Sequence, residues 1–220
     1  MLTRTNAEDL PRKLRLIVIT DRRLAAPRSV EDVVEESLEA GARAIQLRDK
    51  DASARELLEE ARRLRVLTRS HDALLFLNDR FDVALAAGAD GVHVGPDDLP
   101  VSAVRSAVPE SFLVGHSTDI PEVARTAVRD GADYIGCGTV FATTTKKDAG
   151  EVIGVRGLAR VAEAVDVPVV GIGGVTPPGA REIARVGSAA GVAVVGAVMG
   201  ADNVGATVRA LLEPFRGKGS

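Results

Sequence analysis

Short apolar runs in this chain end, again and again, in a polar cluster on their carboxyl side. Ile45 leads into Gln46-Leu47-Arg48-Asp49-Lys50, and Leu74 to Leu77 lead into Asn78-Asp79-Arg80. Val92 opens His93-Val94-Gly95-Pro96-Asp97-Asp98, and Phe112 to Val114 run into Gly115-His116-Ser117. Tyr134 to Cys137 precede Gly138 and Thr143-Thr144-Thr145-Lys146, and Val169-Val170 precede Gly171-Ile172-Gly173-Gly174. A strand with one wet face would alternate polar and apolar along its length. Runs that stay apolar and carry their chemistry at one end read as strands of a parallel sheet buried on both faces, with ligands taken at the carboxyl ends.

Strands are predicted near 16–20, 44–48, 74–78, 91–94, 112–115, 133–137, 168–172 and 192–196. Helices fall between them, most clearly at 30–40, 53–69, 120–130, 155–165 and 177–186, with a last one near 203–215. In 53–69, Leu57, Leu58, Ala61, Leu64 and Leu67 share one side, and Ser53 and Glu56 have capping-box spacing. A weak repeat, Gly41-Ala42-Arg43, Gly88-Ala89-Asp90 and Gly131-Ala132-Asp133, recurs roughly every 45 residues, about two βα units. The expected class is α/β, a single (β/α)8 TIM barrel over residues 1–220, a length such a barrel fits as one domain. An open doubly wound sheet lacks its Gly-rich fingerprint here. Residues 1–13 and 216–220 are expected as flexible ends, and the loop 139–153 as a flap over the site.

Composition removes several function classes. A formal charge of −3 with 3% aromatics argues against nucleic-acid binding, although it leaves room for local cations around a small anion. No apolar stretch approaches a membrane span of about 20 residues. Met1 to Arg15 carry no secretory apolar core, and the single cysteine, Cys137, forms no internal disulfide. The chain is therefore expected to work in the cytoplasm, on small molecules, with a homo-oligomer left open. There is no HExxH, no paired CxxC, no Walker loop and no convincing triad around His116 and Ser117.

The strand ends carry the candidate site. Asp79 and Asp98 follow neighbouring strands, and two carboxylates with phosphate oxygens suit Mg2+; helix capping is the plain alternative, and Asp97 competes with Asp98. Gln46, Arg48 and Lys50 share one parity, with Leu47 and Asp49 pointing the other way. Arg offers a planar fork for phosphate and Lys a point charge. Thr143-Thr144-Thr145-Lys146 is a candidate anion clamp, and Gly171 to Gly174 with Val195-Gly196 match the place where barrels take phosphate. Two anion sites with a metal beside one imply two phosphorylated partners or one doubly phosphorylated molecule; the richer site suits pyrophosphate and the glycine site a monophosphate, with electrostatic stabilisation of a departing pyrophosphate.

In order and spacing these segments, together with Val18-Ile19-Thr20-Asp21 and Gly88 to Gly95, resemble the thiamine-phosphate synthase family from Leu16 to Leu212. The resemblance implies joining a pyrimidine diphosphate, 4-amino-2-methyl-5-(diphosphooxymethyl)pyrimidine, to a thiazole phosphate, plain or carboxylated, with pyrophosphate leaving first. It implies that Gln46, Leu47, Arg48, Asp49, Lys50, Asn78, Ser117 and Lys146 hold the pyrimidine diphosphate, and that His93 lines its pocket. Arg48, Lys50 and Lys146 would act on the leaving group and Asp79 and Asp98 would hold magnesium. Thr143, Thr144, Thr145, Gly174 and the Val195-Gly196 backbone would hold the thiazole phosphate. Two rival readings are a thiazole tautomerase-like relative and a non-catalytic sensor of phosphorylated ligands.

Overall fold

The computed structural model describes residues 9–143 and 151–217. Eight parallel strands close into a barrel in chain order: β1 Leu16–Ile19, β2 Ala44–Leu47, β3 Leu74–Asn78, β4 Gly91–Val94, β5 Leu113–Ser117, β6 Tyr134–Cys137, β7 Val169–Ile172 and β8 Gly191–Val194. The helices are α1 Leu10–Lys13, α2 Arg22–Ala25, α3 Val30–Glu39, α4 Ala54–Ser70, α5 Phe81–Ala87, α6 Val101–Ala107, α7 Pro121–Arg129, α8 Gly154–Ala162, α9 Pro177–Val186, α10 Gly196–Met199 and α11 Val204–Leu212. The (β/α)8 barrel expected from the apolar runs is the fold. Among the described residues, no helix is long and apolar enough to cross a membrane.

Alternation along each strand divides the core in two. Ile17, Ala44, Leu74, Phe76, Leu113, Tyr134, Val170 and Ala193 pack together inside the barrel. Leu16, Val18, Ile45, Leu47, Leu75, Leu77, Val92, Val114 and Ile135 pack with the inner faces of the helices. Each such Leu, Ile, Val or Phe contributes about 1.5–3 kcal/mol by leaving water. In α4, Leu57, Ala61 and Leu64 supply that face, and the predicted capping box forms: Glu56 N–H donates to Ser53 Oγ at 3.3 Å, and Ser53 N–H to Glu56 Oε2 at 2.8 Å.

The glycine repeat proves to be a clamp on the amino-terminal face. Asp90 accepts both guanidinium arms of Arg65 (2.7 and 2.9 Å) and the N–H of Leu75 (2.8 Å). Asp133 accepts from Arg105 and from the N–H of Val114 (2.7 Å). Each carboxylate therefore ties a helix to the start of a strand. The copy at Gly41 ends in Arg43, which instead donates to the carbonyls of Leu38 and Ala42.

Two boundaries differ from expectation. Residues 1–13 were expected as a flexible end, yet α1 is ordered: Leu10 and Leu14 pack into the barrel interior, and Lys13, buried, donates to the Asp72 carbonyl and carboxylate at 2.8 and 2.7 Å. That helix plugs the floor of the barrel, where an open end would leave apolar side chains wet. At the other terminus Arg216 and Gly217 are exposed. The last strand stops at Val194 and Gly196 opens a short helix, because the chain has to turn at the rim.

Replacing Asp133 with Ala would leave Arg105 and the Val114 N–H without their shared acceptor. We expect a loss of about 2 kcal/mol, a melting temperature lower by roughly 4–8 °C by calorimetry, and little change in any activity at the far rim. An unchanged melting temperature would show the clamp to be idle.

Candidate active site

At the carboxyl-terminal rim, two acidic side chains meet. Asp79 leaves β3 with φ of 62°, a left-handed backbone that Asp adopts more readily than most residues. Its N–H donates to the His93 carbonyl at 2.9 Å, which pins the turn against β4. Asp98 curls its own loop back over the rim, its carboxylate accepting the Gly95 N–H at 2.7 Å. The two carboxyl groups then share a hydrogen bond. Burial first, and Asp98 second, push Asp79 up to about 6, against the pull of Lys50 and Arg48. Two carboxyl groups this close share a proton until the pH rises through about 6, and a cation can take its place. Neither side chain caps a following helix: α5 and α6 begin without a side-chain cap. Asp97 is exposed, and it is Asp98 that reaches Asp79. Among the described residues no group of three or more acidic, His or Cys ligands forms. Two carboxylates with room for water and phosphate oxygens fit magnesium better than zinc.

The cations stand beside this pair. Arg48 follows β2, its N–H donating to Thr20 Oγ1 at 3.0 Å and its carbonyl accepting the same hydroxyl at 3.3 Å. Thr20, buried at the end of β1, thus sets where the Arg48 segment leaves the sheet. Lys50 is exposed. Two side chains of this segment have partners elsewhere. Leu47 is buried among the helices. Asp49 pairs with Arg22 at 3.0 Å, and Arg22 also reaches Glu60 at 2.9 Å.

Below the rim, a column of polar groups points inward. Gln46 is buried at 4% exposure, and Asn78 pairs in register with His93. His93 Nδ1 lies 3.0 Å from the Tyr134 hydroxyl and its Nε2 lies 2.7 Å from Ser117 Oγ. Tyr134 is fully buried, and that burial pushes the phenol well above its ordinary range, with Gln46 pulling the other way. His116 faces the helix layer, its Nδ1 buried without a hydrogen-bond partner among the described residues, so it takes no part with Ser117. Burial lowers its pKa.

The glycine loop lies across the mouth. Val140 N–H donates to Ile172 O at 2.9 Å and Phe141 N–H to Gly173 O at 3.0 Å, so the loop after β6 runs alongside the loop after β7. Gly174 has φ of 59°, and a Cβ there would sit 2.4 Å from the Ala142 carbonyl oxygen. Only glycine allows that approach. Thr143, half-buried, follows directly. Thr144, Thr145 and Lys146 lie outside the described residues. Val195 and Gly196 stand half-buried where β8 gives way to α10.

Thr20 and Tyr134 were not among the expected site residues. Thr20 was visible only as the polar end of an apolar run, and Tyr134 as the single tyrosine of the chain, at the start of a strand.

The sequence model of the thiamine monophosphate synthase family matches residues 16–198. Thiamine-phosphate synthase of Pyrococcus furiosus is 50% identical over 196 residues, 89% of this chain and 92% of that protein. The Roseiflexus castenholzii enzyme of the same name is 49% identical over 89% of this chain and 86% of its own length. The solved thiamine phosphate pyrophosphorylase from Pyrococcus furiosus superposes with a TM-score of 0.86 at 46% identity, covering 94% of this chain and 97% of that one. The chain belongs to the thiamine monophosphate synthase family, transferases that form thiamine phosphate in thiamine biosynthesis.

Proposed function

We propose that this barrel joins 4-amino-2-methyl-5-(diphosphooxymethyl)pyrimidine to a thiazole phosphate with the help of Mg2+, releasing pyrophosphate. The observation that carries the reading is the Asp79–Asp98 carboxyl pair with Arg48 and Lys50 in electrostatic range of it. An acidic pair and two cations at one rim suit a diphosphate bridged by a divalent ion, and have no use in a simple proton transfer on a thiazole ring.

Asp79 and Asp98 would hold the magnesium, which when bound would neutralise diphosphate charge and stabilise the leaving pyrophosphate. Arg48, Lys50 and Lys146 take the phosphate oxygens, with Asn78 and Ser117 donating from below. Gln46 and His93 line the pyrimidine pocket. The bond between the methylene carbon and the diphosphate oxygen breaks, its electron pair leaving with pyrophosphate. The pyrimidine-stabilised cation then accepts the lone pair of the thiazole nitrogen, forming the new C–N bond. Thr143, Thr144, Thr145, Gly174 and the Val195-Gly196 backbone hold the thiazole phosphate close by. The lone thiol, Cys137, is pushed up to about 12 by burial, which makes it inert and suits the reducing cytoplasm.

Purified protein supplied with both substrates and magnesium is expected to form thiamine phosphate and pyrophosphate in equal amounts. Chelation should lower the rate at least about a hundredfold. Binding without turnover would favour a sensor, and turnover indifferent to chelator would remove Asp79 and Asp98 from the metal's service.

The carboxyl pair also has a pH signature. Asp79 titrates above the ordinary carboxylate value, so the folded state holds this proton more tightly than the unfolded chain. Its contribution to stability is complete below about pH 4 and is lost as pH rises through about 6. In melting scans of the metal-free protein, Asp79→Asn should flatten that loss. Magnesium should raise the melting temperature more at pH 7 than at pH 5; equal shifts at both would contradict the pairing.

Gly174→Ala tests the thiazole phosphate subsite. We expect KM for the thiazole phosphate to rise about tenfold or more while KM for the pyrimidine diphosphate stays within twofold, in steady-state assays.

A further inference from the structure

A carboxylate sits where α4 would be expected to carry an apolar side chain. The inward stripe of this helix runs through Leu57, Glu60, Ala61, Leu64 and Thr68, all buried, and the Glu60 side chain is 5% exposed. A charge withdrawn from water destabilises a fold unless it is paired, and a well-packed apolar side chain in its place is often the more stable choice. Packing alone therefore gives no reason for Glu60. Its cationic partner among the described residues is Arg22, whose Nη2 donates to Glu60 Oε2 at 2.9 Å.

The same nitrogen lies 3.0 Å from Asp49 Oδ2. Arg22 opens α2, the short helix after β1, and Asp49 stands between Arg48 and Lys50 in the loop after β2. One guanidinium group thus joins the inner face of α4 to the loop that carries Arg48 and Lys50. Further contacts link the same two strand exits. Thr20 Oγ1 accepts the Arg48 N–H at 3.0 Å, Arg23 Nη2 donates to Asp51 Oδ2 at 2.6 Å, and Asp49 Oδ1 accepts the Asp51 N–H at 3.1 Å. The exit of β1 therefore holds residues 48, 49 and 51 in turn. Of the two ion pairs in this set, Arg23 with Asp51 is exposed on both sides and holds weakly. Arg22 reaches water itself, but both carboxylates it meets are largely buried.

We propose that Arg22 and Glu60 are positioning residues for the diphosphate: the buried carboxylate fixes the guanidinium, the guanidinium fixes Asp49, and the peptide planes on either side of Asp49 then hold Arg48 and Lys50 beside the carboxyl pair at the mouth. This deepens the synthase reading and rests on it for the ligand. The action is through the loop, and it runs against simple electrostatics. Removing the Glu60 charge makes the rim less negative, which by itself strengthens the binding of an anion. A residue acting through position gives the opposite sign, because its loss loosens the loop.

The test is calorimetric titration of the full chain with inorganic pyrophosphate and Mg2+, which requires no turnover. Glu60→Gln keeps the shape of the side chain and removes its charge. Pyrophosphate affinity is expected to fall about tenfold, at low salt and in about 0.5 M salt alike, since salt screens the field of a distant charge but not a displaced loop. Arg22→Gln should lose at least as much, and adding Glu60→Gln to it should lower affinity no further, because the carboxylate acts through the guanidinium. In steady-state assays KM for the pyrimidine diphosphate should rise in step, while KM for the thiazole phosphate stays within twofold. Unchanged or tighter pyrophosphate binding in Glu60→Gln, additive losses in the double variant, or an equal rise in both KM values overturns the proposal. Should Glu60→Gln fail to fold, a loss in Arg22→Gln that persists at the higher salt supports it, and a loss that salt abolishes overturns it. A native chain whose pyrophosphate binding follows this pattern but which forms no thiamine phosphate would overturn the synthase reading and leave the anchor standing. Product formation with an affinity indifferent to Glu60→Gln would overturn the anchor alone, and a native chain that binds no pyrophosphate would overturn both.

Discussion

Parallel strands that close on themselves send every carboxyl end to one rim, and everything else in this molecule follows from that closure. Residues far apart in sequence, Arg48, Asp79, Asp98 and Ser117, reach the same mouth because each lies on or just beyond a strand of one ring. The opposite rim has a different task. There Asp90 and Asp133 tie helices to strand starts, and α1 closes the floor with Leu10, Leu14 and the Lys13–Asp72 contact. Stability is concentrated below and chemistry above, which leaves the upper loops free to hold groups that gain nothing for the fold.

The carboxyl pair is the clearest such group. Like charges placed in hydrogen-bond contact near a low-dielectric wall raise the free energy of the ionised state. The backbone is set up to keep them together nonetheless, with Asp79 in a left-handed turn tied to the His93 carbonyl and Asp98 tied to the Gly95 N–H. Nearby Arg48 and Lys50 relieve the repulsion only in part. The arrangement is more comfortable with a cation between the carboxylates and an anion on the basic side, which is the charge pattern of a metal-bridged diphosphate.

Much of this was legible beforehand. Apolar runs ending in polar clusters marked six of the eight strands, because a strand buried on both faces has few other places to carry polar residues. Parity separated Arg48 from Asp49 for the same reason, yet the family resemblance had drawn Leu47 and Asp49 into the ligand list; in the fold their side chains turn to the helices and to Arg22. Short helices such as α2 and α10 span too few residues to show a period. The repeat at Gly88 and Gly131 was visible, but its purpose was not, since the partners Arg65 and Arg105 sit more than twenty positions upstream in sequence. Thr20 and Tyr134 stayed hidden for a related reason: they touch Arg48 and His93 on other strands, and contacts of that kind leave no local trace.

The most direct measurement is a diffraction experiment on crystals soaked with Mn2+ as an anomalous stand-in for magnesium, together with inorganic pyrophosphate. The account predicts one strong anomalous peak between the carboxylates of Asp79 and Asp98, with pyrophosphate oxygens spanning from it to Arg48. A peak elsewhere, or pyrophosphate seated at the rim with no metal between those two side chains, would contradict it.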